Sequence, residues 1–178
     1  GKYPADRDMI NLKVLNTLRV AFPRVKIGYS DHTLDPVEAP VGAVVFGAQY
    51  IEKHFTLDKS QDGPDHSFAV DAIGLSKLVN AVREAESSIK SGNEISIDPL
   101  IIGNGEKRIN EKEKYIRNFC YRYLFAATDI QKGDIFSESN IITLRAGELQ
   151  CGFHPRVKDK LIGLISPSFI PAFSPINL

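Results

Sequence analysis

Between positions 9 and 22 apolar residues recur at spacings of three and four. Met9, Leu12, Leu15, Leu18 and Phe22 form one stripe, and Lys13, Asn16 and Arg19 lie off it. The pattern predicts an amphipathic helix that Pro23 stops. Val25 to Ser30 follows as a short β-branched run opening into the polar Asp31-His32-Thr33, which reads as a strand ending in a loop. Pro40 suits the first position of a helix through Gly47, and Gln49 to Phe55 reads as a second strand. From 71 to 91, Leu75, Leu78, Val79, Val82 and Ile89 fall at helical spacing, with Asp71 as N-cap and Gly92 as terminator.

Helices and strands that alternate in this way predict parallel βα units, the building blocks of barrels and doubly wound sheets. Two or three such units are too few to close a barrel on their own. The composition changes after position 93, where charged clusters such as Glu111-Lys112-Glu113-Lys114 and the glycines at 103 and 105 suggest a linker. Beyond it, 121–127, 141–145 and 161–165 are short strand-like runs, joined by turns such as Lys132-Gly133-Asp134. The expected division is therefore 1–95 as an α/β unit, 96–118 as a linker and 119–178 as a small β-rich module. Its proline-rich end, Phe169 to Pro175, is unsuited to a regular closing strand.

Charge narrows the possible partners. The 178 residues carry 22 Lys plus Arg and 22 Asp plus Glu, so no net field draws the chain to nucleic acid or to a membrane surface. No apolar run is long enough to cross a bilayer, and two cysteines, Cys120 and Cys151, make no disulfide framework, which leads to the expectation of a cytoplasmic protein. Histidine placement is the main chemical clue. His32, His54 and His66 lie close together in sequence, each beside a carboxylate. Strand alternation points Glu52 and His54 the same way, and likewise Ser30 and His32, so two adjacent parallel strands would bring His32 and His54 to one pocket. Paired imidazoles there suit a divalent metal with open positions for substrate. Histidines bonded to neighbouring carboxylates for structure fit the same spacing.

Several strings together resemble the sialic acid synthase (N-acetylneuraminate synthase) family. They are Tyr3-Pro4 with Asn11-Leu12, then Ile27 to Thr33, Ile51 to Thr56 and Gly63 to His66. The segment Ala127 to Asp134, with Asn140 and Arg145-Ala146-Gly147, resembles that family's antifreeze-like (SAF) module. The resemblance implies the C-terminal portion of a (β/α)8 TIM barrel followed by a small β-rich SAF domain. It also places the start of the chain near the end of the sixth strand, with the first five strands lying outside it. The implied reaction condenses phosphoenolpyruvate with an N-acylated hexosamine such as N-acetylmannosamine and releases phosphate. Legionaminic or pseudaminic acid synthesis is the alternative, as is an inactive fragment that keeps only carbohydrate binding or interaction.

By position, the resemblance makes His32 and His54 metal ligands for manganese, or else magnesium or cobalt, and places the Glu52 carboxylate beside that metal. Ser30 falls near the phosphoenolpyruvate, Asp65 contacts the sugar, and Tyr3 lies next to other site residues. By the resemblance, Arg145 matches an arginine lowered onto the N-acyl group from a partner's module, and Phe119 or Tyr121 lies where aromatic residues of that module face the site. A domain-swapped homodimer is implied. The string Arg145-Ala146-Gly147-Glu148 departs from the family's arginine-proline-glycine turn.

Overall fold

The computed structural model describes residues 1–177, and the chain divides into two compact units, Gly1–Asn110 and the remainder from Glu111. No described helix is long and apolar enough to cross a membrane.

In the first unit a 3-10 turn at Arg7–Met9 precedes helix α1, Val14–Ala21. The helix starts later than the apolar stripe predicts, because residues 10 to 13 have other partners. The Leu12 N–H donates to Ile101 O at 3.1 Å and the Lys13 N–H to Ile102 O at 2.9 Å. Leu12 and Ile10 therefore enter the core from irregular backbone, still buried but not helical.

Strand β1, Tyr29–Asp31, helix α2, Glu38–Val45, and strand β2, Ile51–Lys53, form one crossover unit. The strands are parallel, with Tyr29 opposite Ile51, Ser30 opposite Glu52 and Asp31 opposite Lys53. Both are shorter than the sequence runs, although the Gln49 N–H still reaches Ile27 O at 2.9 Å. Gly28 lets the two chains approach, since a Cβ there would lie 2.9 Å from both Tyr50 Cβ and Tyr50 O. Helix α2 begins two residues before Pro40, not at it. Asp35 Oδ1 accepts from the Val37 and Glu38 N–H groups and so satisfies the free amides of that earlier turn.

Helix α3, Ala72–Lys90, matches its sequence signals. Asp71 accepts from the Gly74 N–H at 2.7 Å, and Gly92 just beyond the end has φ +76°. The first part of the expected linker is instead packed structure. Asp98 caps the short helix α4, Pro99–Ile102, and Ile101 joins Ile10, Leu12, Leu15, Ala39 and Ala43 in the core of this unit. The short apolar run Leu100-Ile101-Ile102 in a polar stretch is a weak pattern, but its buried Ile101 fills space in this core.

The second unit contains helix α5, Lys114–Cys120, and the antiparallel strands β3, Arg122–Ala126, and β4, Ile141–Arg145. The run at 161–165 forms no strand. Leu161 ends helix α6, Lys158–Leu161, with its side chain buried, and Ile165 makes only an isolated bridge to Ile135. The proline-rich end pairs through isolated bridges, Ile170 to Ile130 and Pro175 to Phe125. Leu124, Ile130, Phe136, Ile141 and Ile176 are among the residues of this unit's separate core.

Candidate functional site

Three-residue strands set the site through alternation. On β1 and β2, Ser30 and Glu52 are exposed on one face, while Asp31 and Lys53 point behind it with side-chain exposures of 0% and 4%. His32 and His54 follow immediately at the C-terminal ends of the strands. Their ring centroids are 5.3 Å apart in an edge-on arrangement. Ser30 Oγ donates to Glu52 Oε1 at 2.7 Å and lies 3.4 Å from His32 Nε2. Tyr3 stacks on His32 at 4.1 Å between centroids, and the Ala5 N–H donating to His32 O holds the two segments together. Asp65 Oδ2 lies 3.6 Å from His54 Nδ1. The structure thus brings Tyr3, Ser30, His32, Glu52, His54 and Asp65 into one neighbourhood.

Two neighbours carried no sequence signal of their own. Phe68, 5% exposed, packs its ring 5.1 Å from that of His54 and 5.6 Å from that of Tyr3. It lies in the run Phe68-Ala69-Val70, all three residues of which are buried. Behind the site, Lys53 Nζ donates to Asp31 Oδ2 at 2.5 Å and to Thr33 O at 2.7 Å. Beside His54 a concavity of about 250 Å³ is lined by Phe55, Pro64, Asp65, His66 and Ala69. His66 Nδ1 lies 2.7 Å from Thr56 Oγ1. Because the Thr56 hydroxyl can donate to Asp58 O, at 2.9 Å, it is free to accept from the histidine.

Burial pushes the His32 imidazole below its ordinary value. The charge of His54 acts in the same direction, and the Asp31 and Glu52 carboxylates oppose it. His32 is thereby favoured as neutral imidazole, the form that ligates metals. Among the described residues, no group of three or more His, Cys, Asp or Glu side chains is arranged to hold a metal ion. His32 and His54 nevertheless fit as two nitrogen donors, leaving further positions to oxygens of water or substrate.

Phe119, Tyr121 and Arg145 lie in the second unit, gathered at one end of the β3–β4 hairpin. The Ala146 N–H reaches Tyr121 O at 3.4 Å, Arg145 is exposed opposite Arg122, and the Arg117 guanidinium sits 4.6 Å from the Tyr121 ring centroid. Phe119 stacks with Tyr115 at 6.2 Å.

Comparison with known proteins gives two family matches, the NeuB family over residues 1–94 and the SAF domain over residues 121–177. The chain is 44% identical over 173 residues to the spore coat polysaccharide biosynthesis protein SpsE of Bacillus subtilis, covering 97% of this chain and 46% of that protein. It is 38% identical over 161 residues to a pseudaminic acid synthase of Campylobacter jejuni, covering 90% and 41% respectively. The crystal structure of the Bacillus subtilis SpsE protein superposes with a TM-score of 0.91 at 43% identity, covering 99% of this chain and 50% of the other. The chain spans about half the length of the curated relatives it matches.

Proposed function

Because the chain belongs to the NeuB family, we propose that it supplies the metal-binding and sugar-binding part of a nonulosonic acid synthase. Such an enzyme joins phosphoenolpyruvate to an N-acylated hexosamine and releases phosphate. The observation that carries this reading is the pairing of His32 and His54, with rings 5.3 Å apart, beside the Ser30–Glu52 hydrogen bond. A divalent ion on the two imidazoles, manganese foremost, with magnesium or cobalt as alternatives, would supply Lewis acidity at the open-chain aldehyde of the sugar.

The remaining steps belong to the chain's own residues. Ser30 occupies one oxygen of Glu52, which leaves the other to accept a proton from a water or hydroxyl at the reacting carbon. Asp65, at the rim of the concavity beside His54, accepts from sugar hydroxyls. Tyr3, stacked on His32, holds that ring and walls the site against water. The methylene carbon of phosphoenolpyruvate bonds to the aldehyde carbon, water adds to the former enol carbon, and phosphate departs. In a domain-swapped homodimer, Phe119, Tyr121 and Arg145 of one subunit would close over this site in the other. The free thiols Cys120 and Cys151 are both exposed, which suits a reducing cytoplasm.

N-acetylmannosamine is the first sugar to test, and the resemblance to a pseudaminic acid synthase supports trying a diacetamido-hexose beside it. The test is a manganese titration of the chain by calorimetry, with each sugar added afterwards, compared with His32→Ala and His54→Ala. The expected result is metal binding that either substitution weakens by tenfold or more, roughly the loss seen when a metal site is perturbed, and sugar binding that depends on metal. Affinity unchanged in both variants overturns the assignment.

A further inference from the structure

On the back of the β1–β2 pair, away from Ser30 and Glu52, lies a charged contact that the proposed chemistry does not use. Asp31 stands directly opposite Lys53 in the parallel register. Each is flanked by site residues, Ser30 and His32 on one strand and Glu52 and His54 on the other. Asp31 is 1% exposed, and its carboxylate accepts from the Thr33 N–H at 3.0 Å, from the Tyr29 hydroxyl at 3.3 Å and from Lys53 Nζ at 2.5 Å. The ammonium of Lys53 has three protons to donate and three acceptors to receive them, Asp31 Oδ2, Thr33 O at 2.7 Å and Asp35 O at 3.4 Å. No buried side-chain polar atom lacks a partner among the described residues.

We propose that the buried Asp31–Lys53 pair is a positioning latch for His32 and His54, setting the distance and tilt between the two rings. The parallel strands are only three residues long, and a slip of one residue in either would turn Ser30 or Glu52 away from the site. A single charged pair at the last matched position blocks that slip, because displacement would leave a charge buried without its partner. Lys53 also grips the carbonyls at 33 and 35, so it holds the backbone leaving His32 as well as the strand entering His54. Asp31 and Lys53 need not touch substrate. They act through the backbone between them and the two imidazoles. The idea rests on the proposed role of His32 and His54, but its central claim concerns ring placement and does not need a metal.

The test compares the parent chain with Lys53→Arg, which keeps the charge but cannot reproduce the three-acceptor geometry, and with the double variant Asp31→Asn/Lys53→Met, which leaves no buried charge unpaired. Carbon–proton NMR of the histidine rings is recorded without metal, with His154 of the second unit as internal control. Displaced His32 and His54 signals, with reduced ring-current shift from Tyr3 and an unmoved His154, are expected in at least one folded variant. Parent-like His32 and His54 signals in every folded variant overturn the latch. So does loss of folding in both, which would make the pair a determinant of the fold and not a setting of the rings. A manganese titration of the same proteins separates the two claims. The latch predicts affinity lowered by about tenfold, whereas a parent that binds no manganese sinks the metal assignment and leaves the ring measurement to decide the latch.

Discussion

At the scale of single residues, the tightest constraints lie behind the site. Removing one member of a buried ion pair leaves the other charged and unsolvated, so Lys53→Met alone should destabilise the first unit by about 3–5 kcal/mol. Adding Asp31→Asn should recover much of that loss, because no charge is then left stranded. Urea melts of the two single variants and the double variant give the coupling directly, and strict additivity would contradict the pair. Tyr29 belongs to the same network. Burial, then the Asp31 charge and the hydrogen bond to it, push its hydroxyl well above the ordinary tyrosine value. In the unfolded chain a tyrosine ionises near about pH 10. Above that pH the unfolded state holds fewer protons than the folded one, so stability present below pH 10 is lost as pH rises. Tyr29→Phe should therefore flatten the alkaline decline, by about 1 kcal/mol at pH 11. Thermal melts between pH 8 and pH 11, roughly the window in which tyrosine titrates, check this, and parallel curves for parent and variant would refute it.

At the scale of elements, one close contact lies where α2 crosses the chain beside α4. A Cβ on Gly42 would lie 2.5 Å from Leu12 Cδ1 and 3.5 Å from Ile101 Cδ1. Alanine is the better helix former by about 1 kcal/mol, but overpacking a filled core costs about 1–3 kcal/mol, so Gly42→Ala should lower stability despite its propensity. An increase in the denaturation midpoint would show that the neighbours yield. Helix α3 was readable at both ends because Asp71 and Gly92 act locally, through one hydrogen bond and one positive φ. Helix α1 was misread at its start because the partners of Leu12 and Lys13 lie some ninety residues on, and periodicity carries no information about them. The run at 161–165 failed for a related reason. Its apolar, β-branched character was real, but Leu161 is buried from a helical turn and Ile165 is 65% exposed, so no strand face exists. The neighbourhood of His32 and His54 was legible because strand alternation depends only on adjacent residues. The placement of Phe68 and the contacts of Lys53 were not, since both depend on which segment lies opposite.

At the scale of the whole molecule, each unit is built round its own core, one centred on Leu12, Ala43 and Ile101 and the other on Leu124, Ile130 and Phe136. The boundary falls later than the change in composition, because the polar stretch after position 93 still delivers a buried side chain, Ile101, which is 0% exposed. Separate cores predict separate cooperativity. Phe136→Ala removes a fully buried ring and should cost the second unit about 3–5 kcal/mol, a large share of the stability available to a domain this small. Amide exchange at Leu124, Ile130 and Ile176 should then accelerate together, while the amides of Leu12 and Lys13, bonded to the carbonyls of Ile101 and Ile102, keep their protection. Ile101→Ala should produce the reverse pattern, opening Leu12 and Lys13 and sparing the β3–β4 hairpin. Simultaneous loss of protection in both units from either substitution would mean that the chain unfolds as one body. In that case the metal-site measurements in the first unit could not be read independently of the module. If the two patterns stay separate, the histidine pair and the module can be perturbed one at a time, as the assignment of Arg145, Phe119 and Tyr121 to a partner's site requires.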